Sequence, residues 1–314
     1  MSATLLIGVL AAALAQQGPQ TDTTFAVRPG SRISVETFAG SISVKTWDKS
    51  AMRVQATHGR HDNIDIESRG STVHVEAEGR MGTPTNVDFQ ITVPSSSSLE
   101  LSGVNTDIDV AGVTGDVNAE TVQGSITVNG GARMKLESVE GNIIVEGARG
   151  HVSANTVNRG IRIARSIGDV EAETVNGPII LQDVQASNVD LSTVNGRVVY
   201  DGTLRENGDY SFSSHDGAIY VIVPEKTGVA VTVSTFNGNL EASFPINVRD
   251  VSNRKRINFT IGSGSARLDL ESFGGDIYLK RPGEALPTTM DARDSGMKMK
   301  IKAPKIKIDR DDNE

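Results

Sequence analysis

The 314 residues contain no cysteine, which excludes disulfides and lipid attachment through an N-terminal cysteine. Aromatic residues make up only 4%, a scarcity that suits a narrow interior filled by Val, Ile, Leu and Ala. Basic residues are outnumbered, 31 against 39 acidic, for a net charge of −8, which argues against nucleic acid as a partner. The chain has no Gly-x-Ser-x-Gly elbow, P-loop or dinucleotide fingerprint, and no spacing that converges a nucleophile, a base and an orienting group. No cofactor is implied. After residue 15 no apolar run approaches the length of a transmembrane helix.

What is present is a phrase said many times. Ala119-Glu-Thr-Val-Gln-Gly-Ser-Ile-Thr-Val128 returns as Leu136–Val145, Ala172–Leu181 and Leu191–Tyr200. The motif glycine, or its slot, falls at Gly124, Gly141, Arg159, Gly177, Gly196, Gly217, Gly238 and Gly275, in steps of 17, 18, 18, 19, 21, 21 and 37 residues. A coil of about eighteen residues is too short for a helix and two strands and fits a stacked β-coil. The spacing predicts an all-β, parallel β-solenoid, with rungs stacked in sequence order and an insertion at 243–263.

Columns of equivalent residues carry the prediction further. Val117, Met134, Val152, Val170 and Val189, with the residues two places on (Ala119, Leu136, Ala154, Ala172, Leu191), share one strand face and point inward. Ile126, Ile143, Ile161, Ile179 and Val198 form another inward column. A corner is expected between Thr174 and Val175, with Val175 assigned inward like Ile179. The motif glycine is expected to serve a positive φ there. The hydroxyl column Thr121, Ser138, Thr156, Thr174 and Thr193 is expected to form a ladder of mutual hydrogen bonds, and Asn158, Asn176 and Asn195 an amide ladder.

Several groups invite a chemical reading. The outward column Glu120, Glu137, Asn155, Glu173, Ser192 could hold a cation, but neighbouring carboxylates repel by about 0.9 kcal/mol even in water, and Asn155 and Ser192 leave no oxygen cage. His58, His61 and His74 lack the three or four convergent ligands that zinc requires, so no metal site is expected. Arg159 stands where the motif has Gly; with Arg149, Arg162 and Arg165 it makes a candidate anion-binding patch, against a shifted corner with solvated arginines.

At the N-terminus, Leu5–Ala15 ends in Ala13-Leu-Ala15 and reads as a signal peptide over 1–15, although no Lys or Arg precedes it. Residues 22–100 alternate as half-buried strands and are expected to supply irregular first rungs and a cap, with regular rungs over 101–280. In the tail, 281–314, Lys298, Lys300, Lys302, Lys305 and Lys307 alternate with Met and Ile, as in an edge or capping strand.

Val87-Asp-Phe-Gln-Ile-Thr-Val-Pro94, Leu99-Glu-Leu, Thr106–Val117 and the Thr-Val-Asn-Gly series resemble the bacterial "putative adhesin" domain family, over most of residues 25–280. The resemblance implies a β-solenoid of the cell envelope and brings no catalytic residues with it. The resulting expectation is an exported, periplasmic or surface-exposed interaction module, taking a cell-surface polysaccharide or another envelope protein. The rivals are a β-helix lyase or hydrolase acting on an acidic glycan through Arg159 and Arg162, and a purely structural scaffold.

Overall fold

The computed structural model describes residues 20–79, 86–246, 248–252, 256–287 and 290. Among them there is no helix; every regular element is a β-strand. The predicted solenoid is the observed architecture, and its register is the one the columns require. Val117, Ala119 and Thr121 pair with Met134, Leu136 and Ser138, and these with Val152, Ala154 and Thr156. The second side stacks Ile126 on Ile143, Ile161 and Ile179. A third, shorter side is stitched by parallel bridges from Arg149 to Ile167 and from Ile167 to Gln185. The inward residues of all rungs fuse into one continuous buried core.

Parity does not break at the expected corner. In Val170–Thr174 the pattern is buried, exposed, buried, exposed, buried, so Thr174 points inward and Val175 outward. The same holds for Thr121, Ser138, Thr156, Thr193 and Ser214, all buried. The assignment of Val175 to the interior is therefore corrected: hydrophobicity suggested it, but strict period two along the strand decides it.

A buried hydroxyl needs an acceptor, and the motif supplies one. Thr193 Oγ1 donates to Gly177 O at 3.1 Å, Thr174 Oγ1 to Arg159 O at 2.8 Å, Ser214 Oγ to Gly196 O at 2.8 Å and Ser138 Oγ to Gly124 O at 3.0 Å. The hydroxyls thus bond the previous rung's carbonyl, not one another as expected. The same carbonyl explains the glycine. A Cβ added at Gly196 would overlap Gly177 O, and one at Gly217 would overlap Gly196 O. Gly124 has a positive φ (149°), but Gly141, Gly177, Gly196 and Gly217 do not. Close backbone approach, not left-handed conformation, selects Gly at these positions. Thr-x-x-Gly is thus one device, in which a hydroxyl and an absent side chain of one rung close on one carbonyl of the rung before.

The expected amide ladder is present: Asn176 Nδ2 donates to Asn158 Oδ1 at 3.0 Å and Asn195 Nδ2 to Asn176 Oδ1 at 2.8 Å. Other corners are pinned by carboxylates. Asp169 accepts from the Asn188 side chain and backbone N–H, and these bonds, the side-chain one foremost, hold its carboxyl below the ordinary value. Where a coil widens, Tyr200 and Tyr210 fill it, their hydroxyls donating to Thr203 O and Ala186 O, both at 2.8 Å; burial pushes both phenols up.

The rungs do not stack in sequence order at either end. Ala266–Ser272 lies between Val198–Ser214 and Val229–Thr235, pairing parallel with both. Gly275 consequently rests on Gly217, and Gly238 on Gly275. The expectation of sequential stacking is corrected here; the long 37-residue step is the chain passing outward and returning. Residues of the 243–263 insertion form the cap, Arg256–Ile261 running antiparallel on Val229–Thr235 and Val248–Ser252 antiparallel on that strand. The N-terminal end repeats the device. Arg32–Trp47 is sandwiched between Ser98–Val113 and the pair Thr72–Glu78 and Asn86–Pro94. Antiparallel strands Asn63–Arg69, Ala51–Thr57 and Gln20–Ala26 close that end. Antiparallel caps at both ends leave no long parallel edge as a template for another chain. Residues 1–15, expected to be a signal peptide, and the lysine-rich residues 298–307 lie outside the described residues.

Candidate interaction surface

Turning Val175 outward turns its whole column outward. In spatial order the positions are Phe38, Val104, Val122, Val139, Val157, Val175, Val194, His215, Phe273 and Phe236, following the strand register. The nine apolar members are 37–52% exposed. At about 4.8 Å per rung they form an apolar ridge roughly 43 Å long. At its C-terminal end the rings stack: His215 on Phe273 at 4.7 Å between centroids and Phe273 on Phe236 at 4.9 Å, nearly parallel at 8° and 7°. Soluble proteins seldom expose so long a contiguous apolar strip without using it.

The backbone under the middle of the ridge is held by rung-to-rung hydrogen bonds. Val122 O accepts from Glu140 N, Val139 O from Asn158 N, Val157 O from Asn176 N, Val175 O from Asn195 N and Val194 O from Asp216 N, all at 2.7–2.9 Å. On one flank run Glu120, Glu137, Asn155, Glu173 and Ser192; on the other Gln123, Glu140 and the asparagine ladder. The strip is thus apolar along its crest and polar to acidic along both sides, the anatomy of an interface core with its rim. The sequence did signal this column, as the Val or Phe after every Thr, but its apolar character concealed that it faces solvent.

The four arginines are spread over different sides of the coil. Arg149 lies on the bridge side and Arg159 at the corner beside the ridge. Arg162 stands on the strand Ile161–Ala164 and donates to Gln182 Oε1. Arg165, with φ 50°, pairs with Glu146. Arg159 O accepts from Thr174 as the motif glycine would, so the slot keeps its backbone role while its side chain departs. His58 is engaged at both ring nitrogens, with Thr21 Oγ1 at 3.0 Å and Gly59 O at 2.9 Å. His74 lies 3.5 Å from Glu76. Among the described residues no three His, Cys, Asp or Glu groups gather as a metal would require.

A second outward surface is covered. On the second side, Ile180 and Val199 project outward by parity, between the inward Ile179 and Leu181 and between Val198 and Tyr200, yet both are fully buried. The chain crossing this face is the segment that follows the last rung. Lys280 Nζ donates to Ala285 O at 2.7 Å, Ser243 Oγ to Glu284 at 2.7 Å and Arg197 Nε to Pro287 O at 3.1 Å. Met290 Cε would stand 3.0 Å from a Cβ at position 160. Beside this cover, Tyr220 and Tyr278 stack at 4.7 Å. Sequence reasoning missed the covered face, although the consecutive apolar pairs Ile179-Ile180 and Val198-Val199 signal it.

The chain is thus a capped parallel β-solenoid bearing an apolar ridge along one corner. A family model, Toastrack DUF4097, matches residues 14–280, and the chain belongs to that family. Solved structures similar to it include a "putative cell adhesion protein" from Clostridium sporogenes (10% identity over 84% of this chain and 100% of that one, TM-score 0.25). Others are a "putative adhesin" from Bacteroides fragilis (13%, 83% and 97%, TM-score 0.36) and a "putative lipid binding protein" from Parabacteroides distasonis (11%, 83% and 97%, TM-score 0.37). A search of curated proteins finds no match. Among the described residues no helix is long and apolar enough to cross a membrane.

Proposed function

We propose that this protein is an exported, non-catalytic interaction module of the cell envelope, periplasmic or surface-exposed, that binds another envelope protein through its apolar ridge. The observation that carries the proposal is the ridge itself: nine of ten consecutive rungs hold an apolar side chain in solvent at one corner. An apolar crest favours a protein partner over a polysaccharide, because sugar recognition relies on free polar groups. Here the neighbouring amides already spend part of their hydrogen-bonding capacity on one another. Export rests on the Leu5–Ala15 segment.

Val139→Ser, Val157→Ser and Val175→Ser combined should leave the melting temperature nearly unchanged, since these side chains are already partly in water. The same variant should lose saturable binding to envelopes of the producing bacterium. Binding that survives in the triple variant, or that is competed by purified envelope polysaccharide, would refute the ridge as the contact.

The enzymatic alternative gives a separate expectation. A lyase needs a base aligned on the sugar's acidic proton with cations beside the developing charge. A glycosidase needs two carboxyls with pKa values held apart. Glu120 and Glu137 stand in one open column, and Arg162 and Arg165 are engaged with Gln182 and Glu146. Incubation with neutral and acidic polysaccharides, with and without calcium, should release no new reducing ends and no unsaturated-sugar absorbance. Release abolished by Arg159→Ala or Arg162→Ala would make the protein an enzyme.

A further inference from the structure

The ridge is bordered differently on its two sides. On every rung of the first side, the residue two places before the ridge member points outward, about 6.6 Å along the strand. Along the ridge these positions hold Glu36, Glu120, Glu137, Glu173 and Glu271, and otherwise Ser or Asn. None is basic. On the other side the adjoining positions are Ala, Gly or amides except Glu140 and Asp216, and the exposed Arg159 stands one place further on.

Distance decides which further charges count. The next outward row, about 13 Å from the crest, carries Glu100, Glu171, Asp190 and Asp269 against Lys135 alone. A third row lies about 20 Å away at the strand starts. It is mixed: Arg32, Arg133, His151 and Arg267 stand there with Asp116, Asp169 and Asp209. Beside the end rungs the caps add His74 and Glu76 at one end and Arg256 at the other. The Debye length is about 8 Å at physiological salt, so the mixed row is screened from the crest and the glutamate row is not. One long edge of the ridge is therefore acidic and the other close to neutral.

Lys135 shows what this border does to a cation. Its ammonium lies 2.9 Å from Glu137, and that hydrogen bond, then the charges of Glu137 and Glu120, hold its pKa above the ordinary value. Glu120 and Glu137 stand on adjacent rungs, and a cation between them relieves their repulsion. A metal ion there would need an oxygen cage, but an ammonium or guanidinium does not.

Taking the ridge as the contact surface, as the proposed function does, we propose that it receives a polypeptide segment whose apolar face is bordered along one edge by lysine or arginine. The partner's cations stand over Glu120, Glu137 and Glu173. The apolar crest supplies the buried core of the contact, and the acidic border sets its orientation and speeds encounter. A second copy of this chain would bring the same acidic border and a net charge of −8, so the complementarity favours a basic partner.

Three synthetic helices serve as probes. Each has about 28 residues, roughly 42 Å at 1.5 Å per residue, with leucine along one face. One edge of that face carries lysine, glutamate or glutamine. At low salt the lysine helix should bind at least about tenfold more tightly than the glutamate helix, and the preference should fade by about 0.5 M salt. Glu120→Gln, Glu137→Gln and Glu173→Gln combined should remove most of the preference, and changing all three to Lys should invert it. A preference unmoved by these substitutions, or none in the unaltered protein, would overturn the inference. So would full binding of the lysine helix to the combined Val139→Ser, Val157→Ser and Val175→Ser variant, which would mean contact with the acidic face alone. A dimer in sedimentation that this variant abolishes would give the ridge to a second copy and overturn it as well. Envelope binding lost in the serine variant but indifferent to the glutamine changes would sink this inference and leave the proposed function standing. Envelope binding that survives in the serine variant, while the helices behave as expected, would refute the proposed function alone.

Discussion

Gly196→Ala is expected to be among the most damaging single substitutions in the chain, although it adds only one methyl group. The added Cβ would overlap Gly177 O, a backbone atom that cannot rotate away. That carbonyl is also the acceptor for Thr193 Oγ1 at 3.1 Å. Relieving the overlap means moving rung from rung, which breaks this bond and loosens the parallel ladder on both sides of the corner. We expect a loss of about 3 kcal/mol or more, at or above the upper end of the usual range for overpacking because the obstructing atom is backbone, read as a large fall in urea midpoint. Gly147→Ala is the control. Its φ is +69° but nothing lies within 4 Å of its Cβ position, so the cost should be about 1–2 kcal/mol of backbone strain. Equal midpoints for the two variants would show that the glycine column serves conformation and not close approach.

The contrast also shows what the sequence could and could not display. Stacking imposes one residue type on each column, so the register between Val117 and Val221 was readable from alignment of the repeats alone. The amide ladder was readable for the same reason. Rung order at the ends was not. Every rung presents the same edge to its neighbours, so local pattern cannot distinguish Ala266–Ser272 following Val229–Thr235 from Ala266–Ser272 lying beneath it; only the 37-residue step hints at a return. The inward hydroxyl was hidden by chemistry. Thr174 looks like a surface residue beside Val175 until its partner, Arg159 O on another rung, is seen. For the candidate surface the consequence is direct: the column that defines the ridge was visible, but its apolar side chains suggested the interior. The covered pair Ile180 and Val199 depends on a segment a hundred residues away in sequence, which no local periodicity encodes.

That reversal of Thr174 and Val175 sets the second large expectation. Ala172→Asp should destabilise strongly and Val175→Asp hardly at all, although valine is the more hydrophobic residue of the two. Ala172 is 1% exposed, stacked between Ala154 and Leu191 on the inner face. A carboxylate there would be larger than the methyl it replaces and would find no donor in a column lined by Val, Ala and Leu. Either it stays charged and unpaired in the core or it protonates at neutral pH, and both cost free energy. The loss should exceed about 3 kcal/mol at pH 7 and shrink as pH falls from the raised folded-state value toward the ordinary carboxylate value, because the unfolded chain then takes up the proton as well and no longer gains from ionising. Val175 is 37% exposed, and an aspartate there stays in water beside Glu173, with a weak repulsion of about 1 kcal/mol or less. Thermal unfolding of both variants at pH 7 and pH 4 checks the assignment. If Val175→Asp proves the more destabilising, the ridge belongs inside the solenoid, and the surface on which the proposed function rests does not exist.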